Sequence, residues 1–136
     1  MKVTAPKTRI KLAASKLYEW VSNFENFSHY LSDQVTDIST TADSCSFTIE
    51  NITRVTLKIA EKIPFSKINF VADNDKNIPL FITLYFISVL ENETEMEIDL
   101  DIEIPLFLKP ILQKSLFRFV ETLSEKIKIQ AENNIL

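Results

Sequence analysis

The chain has 136 residues, 46% of them apolar and 25% charged, with a net charge of -4. This is the profile of one ordinary globular domain, residues 1–136, with enough chain to bury a core. The densest charge run, Glu91 to Glu103, is wholly acidic, which disfavours the phosphate neutralisation that nucleic-acid binding requires.

Glycine is absent, so a Walker phosphate loop, a Rossmann dinucleotide turn and a nucleophile elbow, which depend on glycine for close backbone approach, cannot be written. Turns that need positive φ must use Asn and Asp instead, and such residues punctuate the chain at Asn51, at 73–77 and at Asn92. A single cysteine, Cys45, allows no internal disulfide. The longest nearly apolar run, Ile78 to Leu90, has 13 residues, short of the roughly 20 that a membrane helix needs. No integral membrane segment is expected, and no apolar h-region follows the basic N-terminus, so the expected location is cytoplasmic.

In chain order, K-T-R-I-K-L-A at 7–13 reads as a strand with Ile10 and Leu12 on one face. Ser15 is expected to cap a helix whose stripe is Leu17, Trp20, Val21 and Phe24, with Asn23 and Asn26 as stop signals. A second short helix is expected at about Phe27 to Leu31, with Phe27, Tyr30 and Leu31 inward. Strands follow at Val35–Thr40, Ser44–Glu50, Thr53–Ile63, Lys67–Ala72, Leu80–Leu90 and Glu93–Ile104, a succession that implies antiparallel pairing. The last of these alternates strictly, with Met96, Ile98, Leu100 and Ile102 on one face and Glu95, Glu97, Asp99 and Asp101 on the other. After Pro105 the period becomes helical, with Leu112, Leu116, Phe119, Val120, Leu123 and Ile127 on one stripe.

Leu80–Leu90 is apolar on both faces, so its register decides which set is buried. The expected set is Thr83, Tyr85 and Ile87 inward, with Ile82, Leu84 and Phe86 outward beside the acidic row. That exposed patch would serve a homodimer or another partner; alternatively, Ile135 and Leu136 fold over it.

Strand, helix, short helix, six antiparallel strands and a long C-terminal helix is an order similar to the helix-grip fold of the START and birch-pollen-allergen-like (SRPBCC) superfamily. The stretch A-A-S-K-L-Y-E-W-V-S-N-F-E-N-F at 13–27 resembles the opening of its polyketide-cyclase and dehydrase-like members. D-S-C-S-F-T-I at 43–49 and E-K-I-P-F-S-K-I at 61–68 resemble an uncharacterised small bacterial branch. The resemblance implies an α+β fold: a curved antiparallel sheet of about seven strands wrapped around a long C-terminal helix, with two short helices after the first strand. It also implies an apolar cavity between sheet and helix, in which members bind lipids, sterols, polyketides, plant hormones or quinones and some catalyse cyclisation or dehydration. The glycine-rich loop of the plant-allergen branch is missing here.

No catalytic, metal or cofactor site is expected. Cys45 alternates with Phe47 and Ile49 and reads as an inert core thiol, and His29 as a solvent-facing residue of the short helix. One His and one Cys do not supply a tetrahedral metal site. The acidic row reads as a solvated strand face, partly offset by Lys109, Lys114, Arg118, Lys126 and Lys128.

The first functional reading is a binder of a small hydrophobic molecule (lipid, quinone or polyketide-like), with Trp20, Phe24, Tyr30, Cys45, Phe47, Thr83, Tyr85, Leu100, Ser115 and Phe119 as its candidate lining. The same aromatics are equally the residues that would fill the space. The alternatives are a cyclase- or dehydrase-type enzyme with Tyr85 or Tyr30 as donor, and an interaction module with a filled core.

Overall fold

The structure, a computed structural model, describes residues 1–28, 35–49 and 53–135. Tyr30, Leu31, His29 and Leu136, and the side chains of Phe27 and Ile135, lie outside the described residues. In chain order the elements are β1 (Lys2–Thr4), β2 (Thr8–Ile10), α1 (Ala14–Val21), α2 (Phe24–Phe27), β3 (Val35–Thr40), β4 (Ser44–Ile49), β5 (Thr53–Ile63), β6 (Lys67–Asn74), β7 (Leu80–Leu90), β8 (Glu93–Ile102), a short 3-10 helix (Leu106–Leu108) and α3 (Lys109–Ile135). The strands form one antiparallel sheet in the order β1-β8-β7-β6-β5-β4-β3, with β2 also on β8.

The expected first strand is two strands. Pro6, which has no N–H to give a ladder, separates β1 from β2, and the register against β8 moves by one residue between them. The sheet of about seven strands is thus present, with its first strand divided to make eight.

At α1, Ser15 is not the cap. The N-cap is Ala13, with no side-chain cap bond, while Leu17 and Val21 bury one face at i and i+4. α1 ends at Val21 with Ser22 as its C-cap, so neither Asn23 nor Asn26 is the stop and Phe24 falls outside its stripe. The Asn23 side chain caps α2 by accepting from the Glu25 N–H at 2.9 Å, and Asn26 Nδ2 donates to the Trp20 carbonyl at 2.9 Å at the C-terminal end of α1. The second helix thus begins at Phe24, earlier than expected.

Asp and Asn do take glycine's usual backbone. Asp37, at a bulge in β3, has φ 53°, and Asn77, before β7, has φ 52°. Asn74 closes the β6–β7 connection twice, accepting from the Ile78 N–H at 2.9 Å and donating to the Ile78 carbonyl at 2.7 Å. Phe65 is the exception: at φ 65° it is a bulky residue in the left-handed region, held against Tyr18 edge-to-face at 5.6 Å between ring centroids.

The inner face of the sheet and the stripe of α3 make the core. Phe47, Ile68, Leu84, Met96, Ile98 and Leu100 meet Leu116, Phe119, Val120, Leu123 and Ile127, all buried. The C-terminal half of α3 is also fixed by a polar seam to the N-terminal strands. Thr8 and Ser124 hydroxyls are 2.7 Å apart, Lys128 Nζ donates to the Arg9 carbonyl at 2.6 Å, and the Lys11 N–H donates to Glu132 at 2.8 Å. Partial burial pushes the Glu132 carboxyl up, but the Lys11 amide and the Lys128 ammonium outweigh it and hold the group below the usual carboxylate range.

Candidate apolar site between sheet and helix

β7 faces the opposite way from the expectation. Leu80, Ile82, Leu84 and Phe86 are buried, paired with Ile102, Leu100, Ile98 and Met96, whereas Phe81, Thr83, Tyr85 and Ile87 stand on the outer face opposite Asp101, Asp99, Glu97 and Glu95. The cause is a bulge between Ser88 and Leu90. Leu90 faces Glu93 across the Glu91-Asn92 turn, and an unbulged ladder from that pair would set Ile87, Tyr85 and Thr83 opposite Met96, Ile98 and Leu100. The extra residue at Val89 exchanges the two faces.

This places the candidate lining in three groups. Phe24 and Phe119 reach a void between α2, the sheet and α3. Trp20, Cys45, Phe47 and Leu100 are buried in the surrounding core without reaching it. Thr83, Tyr85 and Ser115 belong to the outside: Thr83 accepts from Asn69 Nδ2 at 2.7 Å on the outer face, Tyr85 opposes Glu97, and Ser115 is exposed on α3. They cannot line a cavity behind the helix, and Tyr85 cannot donate a proton within it. Arg54, likewise exposed, bonds the Asp37 carbonyl at 3.1 Å.

The void is lined by Phe24, Leu57, Phe70, Ile82, Leu84, Phe119, Leu123 and Ile127 and has a volume of about 10 Å³. Its described walls carry no polar atom that would hold a water, and its size is at the lower limit for one, so it is dry. Phe24 and Phe70 rings meet across it at 5.2 Å. The residues that sequence reasoning missed, Leu57, Ile82, Leu84, Leu123 and Ile127, are plain aliphatics. Only their parity and helical phase could have pointed to them, and for Ile82 and Leu84 the bulge inverted the parity.

Cys45 is buried beside Phe47 and Ile49 on β4. Burial pushes its thiol up, against a weaker opposing contact from the Thr40 hydroxyl 3.8 Å away, which favours the un-ionised, unreactive form. On the outer face the acidic row is met by the N-terminal strands rather than by α3: Lys2 pairs with Asp99 at 3.3 Å, Lys7 with Glu95 at 3.6 Å, and Arg9 with Glu93 and Glu95 at 3.8 and 3.6 Å. Hydrogen bonding and charge from Asp99 hold the exposed Lys2 ammonium above its ordinary pKa. Among the described residues no three His, Cys, Asp or Glu side chains gather as a metal site, and no helix is long and apolar enough to cross a membrane.

No protein-family model and no curated protein matches the sequence. Solved structures do match the fold over nearly the whole chain. A START superfamily protein from Mycobacterium smegmatis superposes with a TM-score of 0.75 at 14% identity, covering 97% of both chains. A conserved protein from Geobacillus kaustophilus gives 0.76 at 7% identity over 98% of this chain and 96% of its own. A point mutant of norcoclaurine synthase from Thalictrum flavum, in complex with a transition-state analogue, gives 0.74 at 7% identity over 100% and 99%. The chain therefore has the α+β helix-grip fold of the START and birch-pollen-allergen-like superfamily.

Proposed function

We propose that the chain binds a small hydrophobic molecule, lipid-, quinone- or polyketide-like, between the sheet and α3. The observation that carries this reading is the apolar wall that the described residues give the void, contributed by α2, the sheet and α3 together. Apolar walls select ligands by burying apolar area and reject charged ones, which would lose their hydration without a partner. At about 10 Å³ the void is smaller than such a molecule, so binding requires its walls to move apart. On this reading entry displaces the Phe24 and Phe119 rings, Phe24 being carried by the short α2, whose first N–H bonds the Ala42 carbonyl in the β3–β4 turn at 3.2 Å. The norcoclaurine synthase of the same fold, a structure with a bound transition-state analogue, supports the idea of a ligand here; the outward Tyr85 weighs against cyclase- or dehydrase-type chemistry using that residue.

Displacement of the fluorescent fatty acid cis-parinaric acid by palmitate and by a short-chain quinone tests the reading. Saturable probe binding that Leu84→Gln or Leu123→Gln weakens at least tenfold, in variants shown to be folded, supports it. Absence of saturable binding by folded wild-type chain to the probe, palmitate and quinone sinks it.

A second reading is favoured by Phe81 and Ile87, 42% and 50% exposed on the outer face of β7: self-association through that face. Sedimentation velocity showing a dimer that Phe81→Ser/Ile87→Ser dissolves would support it, and a monomer at high micromolar concentration would exclude it.

A further inference from the structure

We infer that the start of α3 and the 3-10 helix before it form a docking surface for an anionic lipid membrane. The inference stands on this surface alone and holds whether or not the interior takes a ligand. Leu106, Phe107 and Ile111 are 77%, 75% and 66% exposed, and Phe117, farther along the same side, is 39% exposed. Within α3, Ile111, Lys114 and Arg118 recur at steps of three and four, and Pro110 and Phe117 form the neighbouring row, so both rows lie on one side of the helix; Leu106 and Phe107 precede them on the 3-10 helix. The buried stripe of Leu116, Phe119, Val120 and Leu123 takes the other side. The first turns of α3 therefore carry apolar residues, Ile111 and Phe117, on the solvent side as well as on the buried stripe, whereas a helix resting on a core needs only one apolar side. In the 3-10 helix no residue is fully buried, and Leu106 and Phe107 leave their apolar side chains to solvent.

The charge around these residues chooses the occupant. In a chain of net charge -4, residues 104–120 carry Lys109, Lys114 and Arg118 and no carboxylate. None of these three cations has an ion-pair partner among the described residues. The acids nearest in sequence are Glu103 and Glu121, on either side of the stretch, and the acidic row lies on the outer face of β8. Apolar side chains projecting between long cationic ones is the arrangement that seats in the headgroup layer, with rings and aliphatic groups at the acyl boundary and ammonium groups among the phosphates. A groove of about 380 Å³ beside the patch, where Thr4, Gln113 and Lys114 present polar groups, gives a phosphate headgroup a place next to the inserted residues. Two-fold pairing of two copies through this patch would instead set Lys109, Lys114 and Arg118 against their own duplicates.

Co-sedimentation of the full chain with vesicles tests this directly. Binding to vesicles containing about a third phosphatidylglycerol should exceed binding to pure phosphatidylcholine at least tenfold at low salt and fall steeply at about 0.5 M NaCl, where charge is screened. Lys109→Gln/Lys114→Gln should lower partitioning about 25-fold, at about fivefold per cation. Leu106→Ser/Phe107→Ser should abolish it, both variants keeping the wild-type circular dichroism and melting temperature because the replaced side chains are outside the core. The inference is overturned if wild type binds anionic and neutral vesicles equally or not at all, or if the serine variant binds as wild type does. It is also overturned if sedimentation shows a protein dimer that the serine variant dissolves, which would make the patch a protein interface.

Discussion

The ring of Phe119 on α3 lies 6.3 Å from the ring of Phe47 on β4, inclined by 30°, and the same Phe119 side chain forms a wall of the void between helix and sheet. One side chain therefore both locks the helix to the sheet and occupies the space in which a ligand would sit. Stability and capacity are opposed at this residue.

Phe119→Ala should separate the two. Removing a fully buried ring costs about 4 kcal/mol, seen as a lower urea midpoint with an unchanged slope. The enlarged apolar cavity should stay dry and take up benzene or xenon. Benzene should therefore raise the melting temperature of the variant by more than it raises that of wild type, and equal shifts would mean that the neighbours collapse into the space.

The bulge at Val89 makes a prediction about neighbouring residues. Leu84→Lys buries a charge in the core without a partner and should prevent folding, whereas Tyr85→Lys places an ammonium opposite Glu97 on the outer face and should change stability by no more than about 1 kcal/mol. Thermal melts followed by circular dichroism decide it, and the reverse order of tolerance would restore the unbulged register.

That bulge marks the boundary of what the sequence made legible. The strict alternation of β8, the two-period switch after Pro105 and the limits of β5 and β7 follow from one-dimensional patterns, because at each of them only one face is apolar or a turn residue stands at the end. β7 is apolar on both faces, so pattern alone could not fix its phase, and one extra residue in the hairpin exchanged Thr83 and Tyr85 for Ile82 and Leu84. The site was legible to the same extent. Phe24 and Phe119 stood out as bulky residues on helical stripes, while Leu57 and Ile127 differ in no local way from other core aliphatics.

Cys45 should resist Ellman's reagent in the native state and react promptly in urea, since burial favours the neutral thiol. The linkage has a definite sign: a raised pKa in the folded state contributes stability that is present below the ordinary thiol range, at about 8.5, and is lost as pH rises above it. Wild type should therefore lose stability relative to Cys45→Ala as pH is raised past that range. A constant difference would mean that the thiol ionises as freely folded as unfolded.

Glu132 has the opposite linkage. Its carboxyl is held below the usual range by Lys11 and Lys128 against partial burial, so its contribution is present above about pH 4.3 and is lost as pH falls below that. Glu132→Gln should cost about 1 kcal/mol at neutral pH, a value limited by solvent screening of the ion pair, and the gap to wild type should close in acid. A gap that persists in acid would place the loss in packing rather than charge.

Native mass spectrometry of the full chain, taken from its own cells without denaturation, tests the apolar site most directly. The account predicts a retained mass, released by organic solvent and identified as a lipid-, quinone- or polyketide-like molecule, whose occupancy falls in a folded Leu123→Gln variant. A chain at its bare mass that also takes up neither palmitate nor a short-chain quinone would contradict it, and would leave the space behind α3 as packing alone.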